Sequence, residues 1–339
     1  MKITIDFSSG ENILEIDEWS KFDINNLLKL IDNYNINYLR YDCSMEPIPG
    51  TNFTSDVYQQ IIEKIKQKKI TTDIVLPCLP DEYYWIPSKL QLEQTVNHLS
   101  YLQNPYHFII PTVKYCNKEH ENVSKNNYFA ILVGNPKEHR CRFIDYIHRY
   151  KLQESTFFTW NITQSEINKD IEYTFEHWEE KKTISKTSYS ELKLEKRYIG
   201  QHSNLPEEYH KSVFDIVLET TTDCPFFSEK TWKPIYLQKP FLVYGSPNTH
   251  KKLSELGFIL YHFIDYRFDV ETDDSKRAIL LIKEMKKLIN YPKEYLLQET
   301  KKINIYNYNR LMEVHKNYSP TKDVKTKDLL NLGENKFLI

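Results

Sequence analysis

FDIVLETTTDCPFFSEKTWKPIYLQKPFLVYGSP, from Phe214 to Pro247, is the stretch from which the fold can be read. Phe214 to Leu218 is a short, largely apolar run suited to a buried strand, and it sets Glu219 at the strand's carboxyl end. A polar and aromatic loop follows from Thr220 to Phe227. Ser228 is a good helix cap, so Glu229 and Lys230 fall in a helical first turn. Such a turn offers unbonded backbone N–H groups and a partial positive charge, both suited to a phosphate-bearing ligand. Pro240 to Val243 then reads as a second strand, ending in the turn Tyr244-Gly245-Ser246-Pro247. Strand, loop, helix and strand in this order form a parallel unit. In open α/β sheets, ligands bind beyond the carboxyl edge of such strands.

The same alternation extends in both directions. Upstream, Tyr128 to Val133 predicts a strand, Gly134 to Arg140 a basic turn, and Phe143, Ile144 and Ile147 a helix, with a short strand over Phe157 to Trp160. Ile162 to Lys196 is highly charged and weakly periodic, which suggests surface helices or an insertion. Downstream, a helix closes over Leu253 to Phe258 with Gly257 near its C-cap, and Leu260 to Ile264 predicts a strand. Ser275 to Asn290 is amphipathic, Pro292 breaks it, and a second long helix runs to about Lys316.

The amino-terminal part has its own series. Strands are expected over Lys2 to Phe7, Ile36 to Tyr41, Thr72 to Leu76 and His107 to Ile110. Helices are expected over Asn25 to Tyr34, from Ser55 through Ile65, and over Lys89 to Leu102. Lys114 to Asn127 is polar, aperiodic and linker-like. The expected organisation is therefore α/β with two doubly wound domains, residues 1–122 and 128–310, and a tail, 311–339, that packs back on the first.

Length and composition limit the function classes. A chain of 339 residues has ample capacity for a core. Its net charge of −2 gives no global basic surface for nucleic acid. The abundance of Asn, Ile and Lys with little Ala reads as the codon usage of an AT-rich genome and says nothing of fold. Cys43, Cys78, Cys116, Cys141 and Cys224 are scattered and form no CxxC, as expected of reduced thiols in a cytoplasmic protein. The start, Met1 to Phe7, alternates like a strand and does not read as a signal peptide. No apolar run approaches the roughly 20 residues that span a bilayer, so a soluble protein is expected.

Glu219, then Ser228-Glu229-Lys230, then Lys239-Pro240-Phe241 and the Gly-Ser-Pro turn resemble the donor-binding signature of the α-1,3-fucosyltransferases. Ser-Glu-Lys-Thr-Trp-Lys-Pro-Ile is more closely similar to fucosyltransferase-like proteins of viruses and bacteria. The resemblance is dense around this stretch and thin elsewhere. It implies a GT-B glycosyltransferase, two Rossmann-like domains facing a cleft, with the nucleotide-sugar held mainly by the second. It also implies that Lys230 contacts the donor phosphates and that Glu229 accepts hydrogen bonds from ribose hydroxyls, with Glu219 as the upstream acid and Ser228 beside them. Arg140, with Lys137 and Arg142 as rivals, would supply a second cation, and an arginine fork suits a diphosphate. His139 reads as a helix-start residue. The chain departs from the family in having Phe226 where a Tyr is common and Thr220-Thr221 in place of Asn-Ser. The missing hydroxyl weakens the case for guanine nucleotide or fucose in particular.

An inverting transferase needs a general base for the acceptor hydroxyl. Asp42, Glu46, Asp81 and Glu82, at expected strand ends of the first domain, are alternative candidates. Tyr83, Tyr84 and Trp85 could stack on an acceptor or cover the core. No metal or other cofactor is expected, because fixed cations and helix N–H groups can stabilise a departing diphosphate. Asp265 and Asp269 lack the spacing of a metal-binding DxD. No Gly-Lys-Ser/Thr phosphate loop or GxGxxG is present, which leaves NTPase and dehydrogenase readings unsupported. Two further readings stay open: a viral DNA hydroxymethyl-base glycosyltransferase, with DNA as acceptor and a locally basic cleft, and an inactive nucleotide- or sugar-binding module.

Overall fold

A computed structural model describes residues 2–6, 13–17, 24–42, 63–76, 99–103, 109, 112–113, 116, 125–133, 137–160, 173–174, 176–177, 183–184, 205–222 and 224–317. The chain divides into two compact units, one built chiefly from Met1–His107 and the other from Phe108–Thr222 with Phe227–Asn317. Each is a mixed α/β structure containing parallel strands.

In the first unit β1 (Lys2–Asp6), β2 (Ile13–Asp17), β3 (Tyr38–Asp42), β4 (Thr71–Leu76) and β5 (Leu99–Gln103) form one sheet in that order. β1 and β2 are antiparallel; the remaining pairs are parallel. Helix α1 (Ile24–Asn33) and the helical segment 63–68 precede β3 and β4. They contribute Ile31 and Ile65, which are buried along with Ile36, Leu39 and Ile70. Lys64 and Lys68 both pair with Asp32, tying the two helices at their polar sides.

The second unit holds a four-stranded parallel sheet of β6 (Asn127–Val133), β7 (Thr156–Trp160), β10 (Ser212–Leu218) and β11 (Phe241–Tyr244), in the order β11-β10-β6-β7. Its described helices include α2 (Glu138–Arg149), α3 (Glu207–His210), α4 (Glu229–Tyr236), α5 (Thr249–Glu255), α6 (Asp274–Leu288) and α7 (Lys293–Asn317). From β6 the chain moves outward through α2 to β7, then returns to the other side of β6 and moves outward again through α4 to β11. The strand order therefore reverses between β6 and β10. Parallel crossovers are right-handed, so the reversal puts α2 and α4 on opposite faces. Accordingly, α2 packs on α6 and α4 packs on α7.

β10 is buried along its whole length, as a central parallel strand must be. Phe214 contacts Phe129 of β6, and Trp232 of α4 is fully buried against Phe227 and Phe258.

Glycine is scarce, at 7 of 339 residues, and this shows in the helix ends. Asn35, Lys69, Lys151 and Gln238 each follow a helix with a positive φ, between 47° and 57°. Glycine commonly fills this left-handed position. It does so at Gly257, where φ is +89° and an added Cβ would lie 3.0 Å from Arg310 Nε. That arginine donates to the Leu256 carbonyl, closing the end of α5.

The structure differs from several sequence expectations. Leu260 to Ile264 forms no strand. Asn307 of α7 instead accepts from Ile259 N and donates to Ile259 O, and Tyr261 donates to Asn304, so α7 satisfies groups in and next to a segment expected to pair in a sheet. Leu99–Gln103 is a strand where the end of a helix was expected, and it occupies the parallel place beside β4. The strand expected over His107 to Ile110 is absent at Ile109, which is helical. In the charged stretch from Ile162 to Lys196, expected as surface helices or an insertion, the few described residues include an antiparallel pair, β8 (Tyr173–Thr174) with β9 (Thr183–Ile184). α7 continues through Asn317, so residues 311–317 belong to that helix and 318–339 lie outside the described residues.

Candidate functional site

The switch in strand order fixes where a site can form. Two neighbouring parallel strands whose connections leave in opposite directions open a crevice at their carboxyl ends. β6 leads into the turn that carries Lys137, His139 and Arg140, and β10 leads into Glu219 and the loop ending at Ser228.

Glu219 organises the loop. Its Oε1 accepts from Ser228 N at 3.0 Å and Thr231 Oγ1 at 2.6 Å, and its Oε2 from Thr220 N at 3.0 Å and Ser228 Oγ at 2.6 Å. Four donors meet one buried carboxylate, so the two ends of the loop are held at a single point. Ser228 in turn caps α4, its Oγ accepting from Lys230 N at 3.3 Å. Gly245, at the end of the neighbouring β11, keeps this corner open. A Cβ there would lie 3.0 Å from Thr249 Oγ1 and 3.6 Å from Glu219 Cβ.

Lys230 points back along this first turn. Its Nζ is 2.9 Å from Glu229 Oε1, 3.1 Å from Thr220 Oγ1 and 3.3 Å from Ser228 Oγ. The Lys230 side chain is 20% exposed and that of Glu229 only 8%, so the lysine is the more accessible of the pair. Burial opposes ionisation of Glu229, but the charge and hydrogen bond of Lys230, with Lys233 behind, outweigh it and lower its pKa. The first turn of α4 thus presents a half-buried ion pair beside backbone N–H groups.

The turn after β6 braces the end of β10. His139 Nε2 lies 3.0 Å from the Glu219 carbonyl, which Arg140 also meets through Nε at 3.3 Å and Nη2 at 3.0 Å. Lys137 Nζ donates to the Thr220 carbonyl at 2.7 Å. Burial, then the neighbouring Arg140, pushes the His139 pKa down to about 3. The ring is therefore neutral at physiological pH. A carbonyl can only accept, so Nε2 carries the proton. Burial also lowers the Arg140 pKa, against the opposing pull of Glu219 and Glu229.

The site residues expected from the sequence thus fall into groups. Glu219, Ser228, Glu229, Lys230, Lys137 and Arg140 all converge at the carboxyl ends of β6 and β10. Arg142 turns elsewhere and pairs with Glu138 and with Asp274 of α6, the latter at 3.0 Å. Asp42 ends β3 opposite Asp17 and Val75, while Glu46, Asp81, Glu82 and Tyr83 to Trp85 lie outside the described residues. Asp265 caps a 3-10 turn through Arg267 N, and Asp269 accepts from His250 N, Lys251 N and His250 Nδ1. Thr231 was not singled out in the sequence. Its only signal is its place one turn after the cap residue Ser228, on the same helix face.

No family model and no curated protein matches the chain. Among solved structures, the spinosyn rhamnosyltransferase SpnG is similar over 86% of this chain and 73% of its own, at 6% identity and a TM-score of 0.37. At that score the likeness carries no argument about activity. Among the described residues, no helix is long and apolar enough to cross a membrane.

Proposed function

We propose that this protein is a glycosyltransferase that moves a sugar from a nucleotide-sugar donor to a hydroxyl acceptor, with inversion and without a metal. The observation that carries the reading is the convergence of Lys230, Glu229 and the capped start of α4 at the point where strand order reverses. The resemblance of Ser228-Glu229-Lys230 and its surroundings to the fucosyltransferase donor signature supplies the ligand class.

In this reading the acceptor oxygen attacks the anomeric carbon as the bond to the diphosphate breaks. The acceptor proton passes to a carboxylate of the first domain, with Asp42, Glu46, Asp81 and Glu82 as the candidates. Negative charge grows on the leaving diphosphate, where the Lys230 ammonium and the positive end of the α4 dipole stabilise it. Glu229, kept ionised by Lys230, accepts from ribose hydroxyls. Glu219, Ser228, Lys137 and Arg140 act mainly as positioning residues, because their polar groups already hold the loop and the end of β10.

A thermal-shift screen of UDP, GDP, CMP and dTDP sugars tests the proposal. A true donor raises the melting temperature by mass action, and a ligand at one hundred times its Kd adds about 2.7 kcal/mol. The absence of any shift across the panel would count against it.

A further inference from the structure

Lys239 lies just before β11, at the sheet edge opposite Lys230, and it is only 8% exposed. Its Nζ donates to the Tyr209 carbonyl and, at 2.6 Å, to Ser212 Oγ, and it lies 3.8 Å from the centre of the Tyr209 ring. Among the described residues no carboxylate pairs with it directly. The acid of this cluster is Asp215 on β10, 3% exposed, which accepts the Tyr209 hydroxyl at 2.6 Å.

Other groups face Lys239 from every packed element. Lys233 of α4 is 6% exposed and 6.0 Å from the Tyr209 ring. Lys125, before β6, donates to the His210 carbonyl. The His210 ring meets Tyr209 edge-on, and buried Cys116 also bears on that tyrosine. Three amines thus share one carboxylate. With all three protonated, the cluster would hold more positive charge than the one carboxylate among the described residues, Asp215, offsets.

The hydrogen bonds do not require that charge. A neutral amine has two N–H groups, enough for Tyr209 O and Ser212 Oγ. The third proton of an ammonium gains the ring face and the distant pull of Asp215.

We propose that Lys239 is a proton-titrating latch, its buried amine set among two other lysines and one carboxylate, joining α3, β10 and the turn before β11 whether or not it carries its third proton. Burial first, then Lys125 and Lys233 against the pull of Asp215, lowers its pKa from 10.5 to about 7. Burial likewise raises that of Asp215. In the unfolded chain the lysine titrates at its ordinary value. Between pH 7 and 10.5 the unfolded state therefore binds more protons, and stability rises with pH across that window.

The test is a lysine Cε and Nζ NMR titration of the full chain, with the Lys239 signal identified by its loss in Lys239→Arg. The expected midpoint is about 7, roughly three pH units below exposed lysines. A Lys239 signal that titrates together with the exposed lysines overturns the proposal. A second arm compares urea midpoints of wild type and Lys239→Met from neutral to alkaline pH. The wild type should gain stability across this range and the variant should not; parallel profiles overturn the proposal. If Lys239→Met does not fold, the wild-type titration decides alone.

Discussion

The Ser228 hydroxyl donates to Glu219 Oε2 at 2.6 Å and accepts from the backbone N–H of Lys230 at 3.3 Å. One oxygen thereby links the acid that ends β10 to the helix that carries the candidate lysine. The position of Lys230 depends on Glu219 through this bond, although the two side chains serve different ends.

Glu219→Gln should therefore act on stability first. The NH2 that replaces one carboxylate oxygen accepts nothing, so either Thr220 N and Ser228 Oγ or Ser228 N and Thr231 Oγ1 lose their acceptor. A buried donor left without an acceptor costs about 1–3 kcal/mol. Urea unfolding should show a loss of that size. A midpoint within a few tenths of a kcal/mol of wild type, the usual range for surface changes, would contradict the tie.

The scarcity of glycine gives a prediction of opposite sign. Lys151 and Gln238 are exposed and left-handed, with φ of 57° and 53°. Lys151→Gly and Gln238→Gly remove a side-chain penalty of about 1–2 kcal/mol, partly offset by the greater freedom of glycine when unfolded. Each should raise stability by about 0.5–1 kcal/mol. Thermal melts of the single and double variants check this, and a lower melting temperature would contradict it.

His139 makes stability depend on acid pH. Its pKa falls from 6.5 to about 3 on folding, chiefly through burial. Between those values the unfolded chain binds the extra proton, so stability is complete above about pH 6.5 and is lost as pH falls. His139→Gln keeps an N–H for the Glu219 carbonyl but does not titrate. Between pH 6.5 and 4 the wild-type profile should be steeper than the variant's, by up to about 1.4 kcal/mol per pH unit. Equal slopes would show that the imidazole does not titrate with unfolding.

Much of the second unit was legible because its signals are local. The apolar run before Glu219, the cap at Ser228 and the Gly-Ser-Pro turn each specify backbone geometry within a few residues, and β10, α4 and β11 form there. The errors arose where a distant partner decided the outcome. Leu260 to Ile264 looks like a strand, yet Asn304 and Asn307, more than forty residues on, bond to groups in and beside it. Leu99 to Leu102 reads as the end of a helix that starts at Lys89, but an apolar run that short fits either period, and pairing with β4 makes it a strand. In the site, the residues could be named but not their roles. Arg140 and Lys137 read as free cations in a basic turn, whereas the fold directs them to the carbonyls of Glu219 and Thr220. No sequence pattern reveals which oxygen an arginine will meet across two strands.

The central claim is that Lys230 receives the diphosphate of an activated sugar. Lys230→Ala leaves the nearly buried Glu229 carboxylate without its nearest cation, so the fold of the variant is checked first by its thermal melt. Calorimetric titration of wild type and Lys230→Ala with the nucleotide-sugar that gives the largest thermal shift is the most direct measurement. The account predicts binding at least about tenfold weaker in the variant, equivalent to about 1.4 kcal/mol. Equal affinity in a correctly folded Lys230→Ala protein would contradict it.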